Sequence, residues 1–137
     1  MLTTVEKVLF LKSIELFSQI PGEDLARLAL IASEETREQG EEIFAEGEDG
    51  DALYLVLDGK VRVHRGERGI AELGERECFG EMAILDASPR SASVTSIAES
   101  HLLKISREDF QEILGEKPEI AMGVIKVLTA RLRSAIK

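Results

Sequence analysis

Glu81 and Arg90 stand nine residues apart in a stretch that follows neither a helical nor a strand period: Phe79-Gly80-Glu81-Met82-Ala83-Ile84-Leu85-Asp86-Ala87-Ser88-Pro89-Arg90-Ser91-Ala92-Ser93-Val94. The planar guanidinium of Arg90 can engage two phosphate oxygens at once, which the point charge of a lysine cannot match. Glu81, acceptor-only when ionised, can take a pair of hydroxyl donors such as a sugar's. Gly80 permits a tight turn or a close approach of backbone to ligand. Pro89 fixes the chain direction just before Arg90. Glu81 to Leu85 holds good helix formers but is too short for an independent helix. A single exposed helical turn there presents unpaired N–H groups that suit an anion. Together these residues describe a small sugar-phosphate pocket, with N–H groups and Arg90 on the phosphate and Glu81 on the ribose. The same two charges also fit a Glu81–Arg90 salt bridge that pins a loop to a barrel, and residue types alone leave both readings open.

The elements around this stretch must position it. Eight of the eleven glycines lie between Gly40 and Gly80, and short segments of period-two alternation sit among them. Leu53, Leu55 and Leu57 alternate with Tyr54, Val56 and Asp58; Val61 and Val63 alternate with Arg62 and His64. Ala92–Ile97 and Leu102–Ile105 predict two more strands around a turn at Glu99-Ser100. Short strands split by glycine turns indicate a sandwich or barrel rather than a parallel βαβ sheet. The ends read as helices. Val5, Val8 and Leu9 fit one helical stripe, and Leu25, Leu28, Ala29 and Ala32 fit another after Pro21-Gly22. Ser106 is the expected N-cap of a helix that buries Phe110, Ile113 and Leu114 and stops at Gly115. Pro118 opens a last helix whose Ile120, Val124, Val127, Leu128, Leu132 and Ala135 make one apolar face, with Met122, Ile125 and Ile136 partly outside it. That is more apolar surface than single-sided packing requires, so the helix is a candidate cover for a ligand or a partner. The predicted class is mainly β with flanking helices: a jelly-roll-like β-roll over about 35–105, helical over 1–33, with C-terminal helices over 106–115 and 118–136, all in one domain spanning 1–137.

Composition removes several function classes. The 137 residues carry 26 acidic against 17 basic side chains, a net charge of -9, which opposes binding to phosphate backbones and anionic membranes. The acidic excess is densest from Glu34 to Asp51, where Arg37 is the one cation, and reads as a solvated face. Asp49-Gly50-Asp51 lacks the alternating ligands and closing Glu of a calcium loop. Cys78, the single cysteine, excludes an internal disulfide and a multi-cysteine zinc site, and reads as a small buried hydrophobe. His64 and His101 are too few for a cupin-type metal centre; they read as a solvent-side strand residue and a residue near a turn. No P-loop, dinucleotide fingerprint or nucleophile elbow occurs. No apolar run has the length of a membrane span or the form of a signal peptide. A soluble, cytoplasmic, non-enzymatic protein without a metal or cofactor is expected.

Phe79-Gly80-Glu81-Met82-Ala83 followed by Pro89-Arg90-Ser91-Ala92-Ser93-Val94 resembles the phosphate-binding cassette of cyclic nucleotide-binding domains. These are the sensor modules of cAMP receptor protein, protein kinase A regulatory subunits and cyclic-nucleotide-gated channels. The likeness extends to Leu16-Phe17 with Leu25, Leu28 and Ala29, and to the glycine-marked segments Ile43–Tyr54 and Asp58–Val63, covering about residues 14–137. The resemblance implies a β-roll, a cassette over 79–94 and a cyclic nucleotide as ligand, with cAMP favoured and cGMP as the alternative. It implies that Glu81 accepts the ribose 2′-hydroxyl and Arg90 pairs with the charged phosphate oxygen. Gly80, Met82 and Ala83 would line the phosphate, with Gly80 and Ala83 offering N–H groups, and Ser91 or Ala92 would lie against phosphate or base. Because no aromatic follows Phe110, a base cap would be aliphatic or polar, from Leu128, Arg131 or Leu132. The last helix would transmit binding and offer a homodimer contact; Thr129–Arg133 is similar to the family's dimerisation helix. Two alternatives are an interaction module that has lost nucleotide binding and the sensor half of a transcription regulator. This chain carries no DNA-reading head, kinase or channel segment, so a regulated partner or further region is expected.

Overall fold

The structure, a computed structural model, describes residues 1–81 and 89–136. It comprises two compact units, one from Met1–Ile31 with Asp109–Lys137 and one from Ala32–Glu108.

The second unit is built from eight strands among the described residues: β1 (Ser33–Arg37), β2 (Glu42–Phe44), β3 (Ala52–Asp58), β4 (Val61–Arg65), β5 (Arg68–Leu73), β6 (Cys78–Phe79), β7 (Ser93–Ser96) and β8 (Ser100–Ser106). They form two four-stranded antiparallel sheets, ordered β1-β8-β3-β6 and β2-β7-β4-β5. This is the predicted β-roll, with strands from Ser33 to Ser106 where 35–105 was expected. β7 and β8 are not a hairpin: the chain leaves one sheet at Ser96 and enters the other at Ser100. The alternation in β3 places Ala52, Tyr54 and Val56 in a cluster with Val61, Phe79, Val94 and Leu102. Leu53 and Leu55, on the opposite face, are fully buried as well. A strand flanked on both edges and buried on both faces reads as a continuous apolar run, as Ala52–Leu57 does.

The first unit holds α1 (Thr4–Ser13), a 3-10 turn (Glu15–Phe17), α2 (Gly22–Ile31), most of α3 (Arg107–Glu116) and α4 (Pro118–Ile136). Thr3 and Glu6 form a reciprocal capping box that starts α1. The expected α1 stripe is not the buried one: Val5 and Leu9 are 68% and 67% exposed, whereas Leu11 is fully buried. Apolar residues occur on both sides of this short helix, and the side continuing into buried Ile14 is the one that packs. The α2 stripe is buried as predicted at Leu25, Leu28 and Ala29, and Ala32, just past the helix, is buried as well. α3 runs through Gly115 to Glu116; Gly115 keeps a helical backbone rather than the left-handed cap expected of a stop. Phe110 and Ile113 are buried there and Leu114 is half-buried. Ile120, Gly123, Val124 and Val127 are the buried face of α4. Leu132 and Ala135, expected on that face, are exposed. At Gly123 a Cβ would lie 2.8 Å from Ile20 Cγ1 and 2.9 Å from the Gln19 carbonyl, so the missing side chain lets α4 approach the turn after Phe17. Arg27–Glu116 and Arg131–Glu15 ion pairs tie the unit's helices together at its surface.

Between β3 and β4 the chain reverses at Gly59, whose φ is +100. A Cβ there would lie 2.6 Å from Ser100 Cα and 2.7 Å from the Glu99 carbonyl, both backbone atoms that cannot step aside. The Gly59→Ala variant is expected to lose about 2–4 kcal/mol of stability from the left-handed strain and the clash together. Chemical denaturation checks this, and a loss below 0.5 kcal/mol would contradict the stated cause.

Candidate functional site

The chain from Pro89 to Ser93 is zipped onto the turn that follows β2. Arg90 N–H donates to the Glu48 carbonyl at 2.7 Å, and the Arg90 carbonyl accepts from Gly47 N–H at 2.9 Å. Pro89 bridges to Asp49, and Ser93 Oγ accepts from Glu46 N–H at 2.9 Å. With its backbone held on both sides, Arg90 points its side chain inward and is only 8% exposed.

There the guanidinium meets neutral partners. Nη2 donates to the Ala52 carbonyl at 2.9 Å and Nη1 to the Gly80 carbonyl at 3.3 Å. The guanidinium carbon sits 3.9 Å from the centre of the Phe44 ring. Among the described residues no carboxylate forms an ion pair with it. Burial pulls the Arg90 guanidinium below its ordinary pKa; nearby Tyr54, Asp51 and Glu48 oppose that pull. An arginine stays charged under such a shift. Among the described residues the result is a desolvated positive charge, oriented by neutral acceptors that engage two of its five N–H donors.

Gly80 is fixed by the same geometry. Its φ is +80, and a Cβ would lie 2.6 Å from Arg90 Nη1 and 3.0 Å from the Ala52 carbonyl. Glu81 follows in a turn, half-buried, and does not pair with Arg90 among the described residues. The salt bridge that the residue types left open is therefore not formed. Ser91 is exposed and its carbonyl accepts from Arg65 Nε at 2.9 Å, while Ala92 is buried. Met82 and Ala83 lie outside the described residues. Of the three candidate base caps on α4, Leu128 is half-buried, Leu132 is exposed, and Arg131 is engaged by Glu15 at 2.8 Å.

Phe44, the Ala52 carbonyl and Arg65 were not foreseen. Phe44 carried a signal, as an aromatic inside the acidic stretch, but it entered only as part of the glycine-marked segment Ile43–Tyr54. A backbone carbonyl has no signature in side-chain types. Arg107 was also missed: its Nη1 donates to the Gly50 carbonyl at 2.7 Å and its N–H to the Asp51 carbonyl at 2.8 Å. The segment from Gly47 to Ala52 is thus gripped by Arg90 on one side and by the start of α3 on the other.

The histidines and the cysteine have structural partners. His64 Nε2 lies 2.8 Å from Thr95 Oγ1 and Nδ1 2.7 Å from the Gly66 carbonyl, so this residue is tied to its own sheet rather than free in solvent. His101, within β8, sits 3.1 Å from Glu34. Cys78 is half-buried, not buried as expected, because β6 is an edge strand.

The family described as the cyclic nucleotide-binding domain matches residues 34–117, more than half of the chain. This chain belongs to that family. The cyclic AMP receptor protein of Thermus thermophilus is 43% identical over 102 residues, 71% of this chain and 47% of the receptor. The chain thus spans about half the length of the bacterial regulators it matches. The N-terminal domain of a transcriptional regulator from Streptomyces coelicolor superposes with a TM-score of 0.84 at 34% identity, covering 92% of this chain and 94% of that domain. The regulatory domain of Toxoplasma gondii PKA, crystallised with cAMP, superposes with a TM-score of 0.75 at 31% identity, covering 80% of this chain and 44% of that one. The cyclic nucleotide-binding domain is a regulatory sensor module, and β-roll and flanking helices alike are those of the family.

In this domain the floor beneath Arg90 is aromatic. Tyr54 and Phe79 stack at 5.2 Å with their planes 9° apart, and Phe44 leans on both at 6.2 and 5.9 Å. Burial pushes the Tyr54 phenol above its ordinary 10.0, opposed by Lys104 and reinforced by Glu35. The neutral phenol is the form the fold favours, so this contribution to stability is complete below pH 10.0 and is lost as pH rises through the higher folded value. Tyr54 is the only tyrosine, so the near-ultraviolet phenolate absorbance reports it alone. A folded-state midpoint above 10.0 is expected, moving down to about 10 in denaturant. A native midpoint at or below 10.0 would contradict the buried placement.

Proposed function

We propose that this chain is a non-enzymatic sensor that binds cAMP, with cGMP as the competing ligand, and that its last helix transmits the bound state. The observation that carries this reading is Arg90: a buried guanidinium oriented by two carbonyls and a ring face, without a carboxylate partner among the described residues. Leaving such a charge unpaired is costly, and an anion at its open edge recovers that cost. Arg90 would take the charged phosphate oxygen and Glu81 the ribose 2′-hydroxyl. Gly80 with Met82 and Ala83 would line the phosphate, and Ser91 and Ala92 would face phosphate or base. The relatives support the ligand class, since one is named a cyclic AMP receptor and another was crystallised with cAMP. They also support an output in transcription, because a transcriptional regulator's N-terminal domain matches over nearly its full length. A cytoplasmic setting fits these regulators, and among the described residues no helix is long and apolar enough to cross a membrane.

Helix α4 supports a homodimer. Met122, Ile125, Leu132 and Ile136 are exposed, and with Thr129 they recur at alternating steps of three and four residues, opposite the buried Ile120-Val124-Val127 face. That is the spacing of a two-stranded coiled-coil seam. A second copy of this helix is the occupant, and Leu128, Arg131 and Leu132 are the candidates for covering the base.

Isothermal titration with cAMP, cGMP and 5′-AMP tests the sensor. Saturable binding of cAMP, absent for 5′-AMP, is expected. Arg90→Ala should cost about 2–4 kcal/mol, or about thirtyfold to a thousandfold in affinity. A loss below tenfold would remove Arg90 from its assigned role. Analytical ultracentrifugation tests the seam: the unaltered chain should sediment as a dimer and Leu132→Asp as a folded monomer. A monomeric unaltered chain at high micromolar concentration would sink the dimer.

A further inference from the structure

Phe44 meets the Arg90 guanidinium with its ring face rather than through a hydrogen bond, and it reaches the site from β2, the strand that opens the acidic turn, outside the cassette. We infer that Phe44 is a positioning residue for the anion site, a ring face that fixes the plane of Arg90 without consuming its charge or its donors. This rests on the proposed nucleotide reading and goes beyond it by naming what orients the phosphate-binding group.

The argument is geometric. Carbonyls of Ala52 and Gly80 occupy two of the five guanidinium N–H groups, one on each terminal nitrogen. Two hydrogen bonds set the direction of the fork but leave its plane able to rock about the line joining them. The Phe44 ring centre, 3.9 Å from the guanidinium carbon, is close enough to restrict that rocking. A carboxylate would orient the group too, but it would neutralise the charge and occupy the edge that a phosphate must use. The ring attracts the cation through its π-face and takes no N–H donor, so it leaves the remaining donors to a phosphate. Tyr54 and Phe79 support Phe44 from behind at 6.2 and 5.9 Å, which keeps the ring itself from turning away. Phe44 is only half-buried, so its replacement leaves most of the β-roll core in place.

The test uses the full chain and three measurements. First, cAMP and cGMP are titrated into the unaltered chain, Phe44→Leu and Phe44→Tyr. Phe44→Leu should bind about tenfold more weakly, and Phe44→Tyr, which keeps the ring, within about twofold of the unaltered chain. Second, thermal unfolding separates loss of fold from loss of orientation, with both variants expected to melt cooperatively. Third, the Arg90 Nε–H proton resonance of the ligand-free chain should be shifted upfield by the Phe44 ring current, keep that shift in Phe44→Tyr and lose it in Phe44→Leu. Equal binding by Phe44→Leu and the unaltered chain, equal weakening by Tyr and Leu, or an unshifted Arg90 resonance overturns the inference while leaving the nucleotide reading intact. An unaltered chain that binds neither cyclic nucleotide overturns the nucleotide reading, and the positioning role falls with it.

Discussion

Burying a positive charge that, among the described residues, forms no ion pair is the constraint around which the β-sheet unit is arranged. Arg90 is 8% exposed, and its partners are carbonyl oxygens and an aromatic face. Such a group is tolerated only when every available dipole points the right way, because desolvation of an ion is not repaid by apolar contacts. That requirement explains why Gly80 has no side chain, why β3 begins at Ala52 with its carbonyl turned toward the site, and why Phe44 lies where it does. Each of these features is unremarkable alone. They become mutually necessary once the guanidinium is placed among them.

The turn between β2 and β3 is where the site meets the rest of the chain. It receives the Arg90 backbone through Gly47 and Glu48, the Arg90 side chain through Ala52, and the start of α3 through Gly50 and Asp51. A rearrangement at Arg90 cannot leave this turn unaffected, and a rearrangement of the turn cannot leave Arg107 unaffected. Coupling between a ligand site and a distant element needs a shared structural part whose state both can bias. Gly47–Ala52 is the part of this unit that meets that description.

Much of the architecture could be read from residue order. Period two in Leu53–Asp58 and Val61–His64, with glycines at the reversals, located the central strands because alternation and turn chemistry agreed. Gly80 and Arg90 stood out because a residue without a side chain and a planar guanidinium each have specific uses, and the structure brings them into contact. What was not legible involved groups without a side-chain signature or faces with two solutions. The Ala52 carbonyl is invisible in a sequence. Val5 and Leu9 belong to a helix apolar on more than one side, and only packing chose the side of Leu11. Leu132 fits two stripes on α4 and falls on the exposed one. Met82 and Ala83 fall outside the described residues, so the sequence remains the sole source for them.

The acidic turn that clasps Arg90 also sets how anything negative reaches it. Glu46, Glu48, Asp49 and Asp51 belong to the turn whose backbone holds Arg90, in a chain whose net charge is -9, so an approaching anion is repelled at long range and attracted only at contact. Added salt screens the repulsion more than the buried contact, so association with a small anion should quicken as ionic strength rises, the reverse of electrostatic steering. The barrier also scales with the ligand's own charge. A cyclic phosphodiester carries one negative charge and a terminal phosphate monoester close to two, so the surface filters by charge number before the pocket tests shape.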